Sequence, residues 1–95
     1  MGINEIQENS NSFVCYPNPF EGETNIKIQN PTRINVTAEI YNLLGQKIKN
    51  LVIDSKDEQL DLIWNGTNDT GQQVKQGIYI CKMNNQTKLL IFKGN

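Results

Sequence analysis

Seven short apolar runs, each closed by a turn signal, constrain this chain more than anything else in it. They cover 13–16, 24–30, 35–41, 47–53, 59–64, 78–83 and 87–93. Successive side chains on a strand point to opposite faces, so a period of two marks a half-buried strand. Ile26 and Ile28 alternate with polar neighbours. Val36, Ala38 and Ile40 do the same, with Thr37 and Glu39 turned outward. Leu60, Leu62 and Trp64 share one phase, which aims the sole tryptophan into that core. The pattern of 47–53 slips near Leu51, where a β-bulge is expected. No stretch keeps a helical period. Seven evenly spaced strands predict an all-β fold: a seven-stranded antiparallel immunoglobulin-like β-sandwich.

The connections are equally explicit. Glycine reaches positive φ at no steric cost, so Gly45, Gly66, Gly71 and Gly77 read as turn points. Three of them punctuate the polar loop that follows Trp64. Tyr16-Pro17-Asn18-Pro19-Phe20 fixes φ twice and removes two backbone donors, so it is extended or turned, with Phe20 folding back as a core plug. Asn30-Pro31-Thr32 and Asn84-Asn85 end their strands. Residues 1–12 are polar and read as a linker, with Met1-Gly2 as an appended start; 13–95 form one domain, cut from a longer protein.

Several functions are disfavoured. Ten acidic and nine basic residues leave a net charge of −1, without the basic face that nucleic acid or an anionic membrane requires. No run is long enough to span a membrane, and Met1-Gly2-Ile3-Asn4-Glu5 does not begin like a signal peptide. Histidine, the commonest general base and metal ligand, does not occur. Two cysteines cannot make a four-ligand zinc site, and no cofactor motif is present. Cys15 and Cys81 fit a disulfide or two buried thiols equally well.

Weaker patterns have plain structural readings. Asn65-Gly66-Thr67-Asn68-Asp69-Thr70-Gly71 has oxygen side chains at short spacing, but without the closing glutamate of a calcium loop it reads as a hydrogen-bonded turn. Asp54, Asp57, Glu58 and Asp61 read as a solvated face rather than a glycosidase pair. Glycosylation acceptor patterns begin at Asn35, Asn65, Asn68 and Asn85, as chance allows in an Asn-rich chain. Tyr79-Ile80-Cys81 matches the end of the antibody-domain pattern, yet Cys15 comes too early and Trp64 too late for the rest. No nucleophile lies near a base, so no enzyme activity is expected. Leu89-Leu90-Ile91-Phe92 is apolar on both faces between Lys88 and Lys93. That fits a central strand, or an edge strand blunted by charge and open to recognition by strand addition.

Taken in order, Tyr16-Pro17-Asn18-Pro19-Phe20, Ile40-Tyr41-Asn42-Leu43-Leu44-Gly45-Gln46-Lys47-Ile48, Trp64-Asn65-Gly66, Gly71, Gly77-Ile78-Tyr79 and the lysine-bounded tail resemble the C-terminal sorting domains of type IX secretion cargo, known from Bacteroidetes. The resemblance covers 13–93. It implies a secretion signal that directs an attached N-terminal cargo through the periplasm and the outer-membrane translocon to the cell surface or beyond. Its partners would be that translocon and the shuttle and sortase-like components of the outer membrane. It implies recognition through Lys88, Leu89, Leu90, Ile91, Phe92 and Lys93 and through Gly77, Ile78 and Tyr79. Tyr16 to Phe20 match the family's entry motif, and cleavage would fall ahead of Phe13. Gly94-Asn95 extend past the family's usual terminal lysine, and Asn65 stands where aspartate is common. Two other readings remain: a carbohydrate- or surface-binding accessory module, which needs exposed aromatic rings, and a structural spacer or cap of an assembly. Oligomeric state is open.

Overall fold

The computed structural model describes residues 12–30, 36–53, 57–83 and 86–94. Expectations for 1–11, for Pro31 and Thr32, for Asp54, for the Asn84-Asn85 turn, for the acceptors at Asn35 and Asn85 and for Asn95 lie outside the described residues. Seven strands run through the rest: β1 (Ser12–Tyr16), β2 (Thr24–Gln29), β3 (Val36–Asn42), β4 (Lys47–Ile53), β5 (Gln59–Trp64), β6 (Gly77–Met83) and β7 (Gln86–Phe92). Ser12 opens β1 and pairs with Gln29.

All strand pairings are antiparallel. They form a three-stranded sheet in the order β1-β2-β5 and a four-stranded sheet in the order β4-β3-β6-β7. Both sheets turn their apolar phase inward, and the sandwich between them holds the core. Ile26, Ile28, Val36, Ala38, Ile40, Leu60 and Trp64 are buried as their phase requires, with Leu62 packed against them. Burying side chains of that size stabilises by about 1.5–3 kcal/mol each for the larger ones, before the entropy of ordering them is set against it.

The bulge lies elsewhere than expected. Ile40 pairs with Lys49 and Tyr41 with Lys47, which leaves Ile48 as the extra residue of β4. Ile48, Leu51 and Ile53 all pack against the core. The first two are three residues apart, an odd separation that strict alternation cannot place on one face. One added residue at Ile48 restores the phase. The β3–β4 turn is held by Asn42, whose Oδ1 accepts from the Leu44 and Gln46 backbone N–H groups at 2.9 Å. Gly45 takes φ +84° there, as its position in the turn demands.

β7 is an edge strand, not a central one. Leu90 and Phe92 face the core, while Leu89 and Ile91 face outward.

Candidate functional site

The segments that stand out in the sequence converge on one end of the sandwich. Phe20 from the β1–β2 connection, Trp64 from the end of β5, Tyr79 from β6 and Phe92 from β7 form a single aromatic cluster. Their ring centres lie 5.1 Å (Phe20–Phe92), 5.4 Å (Trp64–Tyr79), 5.8 Å (Phe20–Trp64) and 5.9 Å (Trp64–Phe92) apart, in tilted or edge-on pairs. Each polar handle is satisfied. Trp64 Nε1 donates to the Thr67 carbonyl at 2.8 Å, and Tyr79 Oη donates to the Lys75 carbonyl at 2.6 Å. Burial raises the Tyr79 phenol above its ordinary value. Gly66 completes the cluster by having no side chain: a methyl group there would run into the Phe92 ring and the Gln73 amide.

The Pro17-Asn18-Pro19-Phe20 segment does more than deliver a ring. It leaves the three-stranded sheet and lies along the outer edge of β7 in the other sheet. Phe20 N donates to Ile91 O at 2.9 Å, and Lys93 N donates to Phe20 O at 2.8 Å. Gly22 N donates to Gly94 O at 3.0 Å. Between the prolines, which have no N–H, the Asn18 side chain acts as a substitute peptide group. Its Nδ2 donates to Leu89 O at 2.7 Å and its Oδ1 accepts from Ile91 N at 3.0 Å. Thr24 Oγ1 donates to Pro17 O at 2.7 Å and anchors the near end of this hook. An exposed strand edge is a template for further pairing, and the hook closes this one from Leu89 to Gly94. Strand addition along that stretch, expected from the sequence alone, therefore meets an edge whose groups are already paired.

The candidate recognition residues divide by exposure. Leu90, Phe92 and Tyr79 are buried and cannot touch a partner while the domain is folded. Leu89 (58% exposed), Ile78 (43%) and Ile91 (39%) point outward. The register joins them, because Ile78 pairs with Ile91 and Ile80 with Leu89, while Tyr41 pairs with Ile80 on the other side. These residues form an apolar strip on the outer face of the four-stranded sheet. Lys93 is exposed at its edge, whereas Lys88 shares the inward phase of Leu90 and Phe92 and turns away from the strip, its Nζ 5.9 Å from the centre of the Phe13 ring. Beside the strip, Tyr41 Oη donates to Glu39 Oε1 at 2.7 Å and Lys47 Nζ lies 3.1 Å from Glu39 Oε2. Both hold the Glu39 carboxyl below its usual range, the tyrosine bond contributing most.

The loop after Trp64 spends its oxygens internally. Asn68 Oδ1 accepts from Thr70 N, Thr70 Oγ1 and Gln72 N at 2.8–3.0 Å, and Asn65 Oδ1 accepts from Thr67 Oγ1 at 2.6 Å. Asp69 Oδ1 accepts from Asn50 N at 3.0 Å and ties the loop to β4. Among the described residues no three acidic or cysteine side chains gather as metal ligands. Asp61 pairs loosely with Lys27 at 3.7 Å on an exposed face. Of the described aromatic residues only Tyr16 is widely exposed, at 72%, so the flat aromatic platform of a glycan-binding module is not assembled here.

Fold and site together define an immunoglobulin-like module whose terminal strand is sealed by its own β1–β2 connection. The family model described as the secretion system C-terminal sorting domain matches residues 14–93, and the chain belongs to that family. A protein bearing such a domain is secreted or surface-exposed. The crystal structure of dimeric latent PorU from Porphyromonas gingivalis contains a similar region, with a TM-score of 0.76 at 20% identity over 90% of this chain. At that identity the likeness concerns the fold. The chain spans 9% of that protein's length. No curated protein matches the chain.

Proposed function

We propose that this domain is an address. It directs an attached cargo through the type IX outer-membrane translocon, by way of the periplasm, and has no catalytic role of its own. Family membership over residues 14–93 supports this reading, and one structural observation supports it most. The segments matching the family lie at one end of the sandwich, where their rings pack into one cluster and shape a surface.

The edge of β7 is occupied, so the machinery reads the face. Ile78, Leu89 and Ile91 supply the contact, with Lys93 at its border. Leu90, Phe92 and Tyr79 serve by holding that face in place.

The test is a reporter, supplied with its own leader for the inner membrane and fused ahead of this chain, in a type IX-competent strain. The reporter is expected on the surface or in the medium. Leu89→Asp with Ile91→Asp, both on the outer face, should retain it in the periplasm while the purified variant still unfolds cooperatively. Periplasmic retention of the unmodified fusion would refute the address. Surface display of the double variant would refute the face as the contact.

A further inference from the structure

We infer that Cys15 and Cys81 are a site of oxidative cross-linking, an inter-sheet disulfide that roots the hook over the edge of β7. Formation of the bond is independent of the export reading. Its occurrence in the cell rests on that reading, because an exported domain meets oxidising surroundings.

The fold brings the two thiols together from the first and sixth strands. Cys15 pairs with Ile26 in the three-stranded sheet, and Cys81 pairs with Ile40 and Lys88 in the four-stranded sheet. Both are free, Cys81 buried and Cys15 half-buried. Both side chains point into the interior, Cys15 in phase with Phe13 on β1 and Cys81 in phase with Tyr79 and Met83 on β6, and the two thiols are close enough to act on each other. A second contact fixes the same approach. Lys88, the β7 neighbour of Cys81, places Nζ 5.9 Å from the centre of the Phe13 ring, and Phe13 shares the inner face of β1 with Cys15.

The pair divides the chemistry. Cys15 is reachable from solvent. The Cys81 thiol and the Lys88 ammonium both lower its thiol, while burial opposes them. Its thiolate attacks one sulfur of a small disulfide such as oxidised glutathione. A Cys15–sulfur bond forms, the oxidant's S–S bond breaks, and the departing thiolate takes up the proton that Cys15 released. Cys81 is pushed up, first by the neighbouring Cys15 and then by burial. The first cause ends once Cys15 is in a mixed disulfide. Cys81 then attacks the Cys15 sulfur, and the second thiol leaves with the Cys81 proton. Two protein thiols are oxidised and one disulfide is reduced to two thiols.

The consequence reaches β7. Cys15 is followed by Tyr16 and then by the hook, so a bond to β6 holds the hook's root against the opposite sheet. The amides of Ile91 and Lys93, which donate to Asn18 and Phe20, should then open less often.

The test uses the purified full chain in a glutathione redox buffer, followed by thiol titration in denaturant and intact mass. Both thiols should disappear together, with the mass of a monomer lighter by two hydrogens. Hydrogen exchange at Ile91 and Lys93 should slow. Cys81→Ser should stop at a glutathione adduct on Cys15, and Cys15→Ser should leave Cys81 unmodified in the folded chain. A wild type that stops at the adduct, cross-links between chains or keeps both thiols overturns the site. A disulfide that leaves exchange at Ile91 unchanged overturns the clamp. Thiol titration of the domain recovered from the periplasm tests the cellular step. A failed reporter export strikes that step without touching the bond.

Discussion

Replacing Gly66 with alanine separates two costs that usually travel together. Gly66 sits at φ +76° and Gly71 at φ +88°, both in the left-handed region. A side chain there costs about 1–2 kcal/mol from backbone crowding alone. At Gly71 a methyl group meets nothing within 4 Å, so that is the whole cost. At Gly66 the methyl meets the Phe92 ring, which is buried and held by Phe20 and Trp64 on its other sides. Forcing a group into a filled core adds about 1–3 kcal/mol. Gly66→Ala should therefore cost about 2–5 kcal/mol against about 1–2 for Gly71→Ala, out of a total stability of about 5–15 kcal/mol for a domain of this kind. Urea unfolding followed by Trp64 fluorescence measures both, since Trp64 is buried beside the altered site. In a Phe92→Leu background the smaller side chain makes room, and the excess cost at Gly66 should shrink by about 1 kcal/mol or more while the cost at Gly71 stays fixed. Equal losses at the two glycines, or no coupling to Phe92, would show that Gly66 is required for its backbone angle alone.

Two further outcomes follow from the hook and from the outer face. Asn18→Ala removes both side-chain bonds to β7 and should cost about 1–2 kcal/mol, with water compensating in part; the Ile91 amide should exchange faster while Leu90, on the β6 side, stays protected, and equal exchange at Ile91 in both proteins would contradict the bridging role. Glu39 is held below its usual value, so its contribution to stability is present above the ordinary glutamate pKa and is lost as pH falls through the lower folded value. Glu39→Gln should flatten the acid limb of an unfolding-versus-pH curve over that window, and an unaltered limb would count against the Tyr41 and Lys47 contacts.

The strands were legible because their apolar period is two and their turns carry glycine and proline. Burial of Ile26, Ile28, Val36, Ala38, Ile40 and Trp64 follows directly from that phase. The bulge at Ile48 was harder, because the sequence shows that alternation slips but not which residue the partner strand will leave unpaired. The position of 89–92 was ambiguous for a related reason: four successive apolar residues suit a central strand, and only the sheet order makes it an edge. The function of Asn18 was not legible at all. Its amide imitates a peptide group only beside Leu89 and Ile91, more than seventy residues away. In retrospect the signal was the composition: two prolines remove two N–H groups, and the residue between them is one whose side chain carries both a donor and an acceptor.

Closing β7 with the hook bears on the proposed address, in which a receptor would read the outer face. Leu89 and Ile91 project from a strand whose outer backbone is held by Asn18 and Phe20, and whose inner side chains pack on Trp64 and Phe20. The strip they form with Ile78 therefore exists only when segments distant in sequence have all found their places: the β1–β2 connection, the end of β5, β6 and β7. Loss of any one opens the edge and misplaces the face. A linear tail signal would be displayed by unfolded and folded copies alike, whereas this surface is displayed by the finished sandwich. The same closure keeps an apolar edge strand from pairing with other chains. Under the proposed address, discrimination in favour of the folded domain and protection against aggregation would thus have one structural origin, the ladder from Asn18 to Gly22 along the edge of β7.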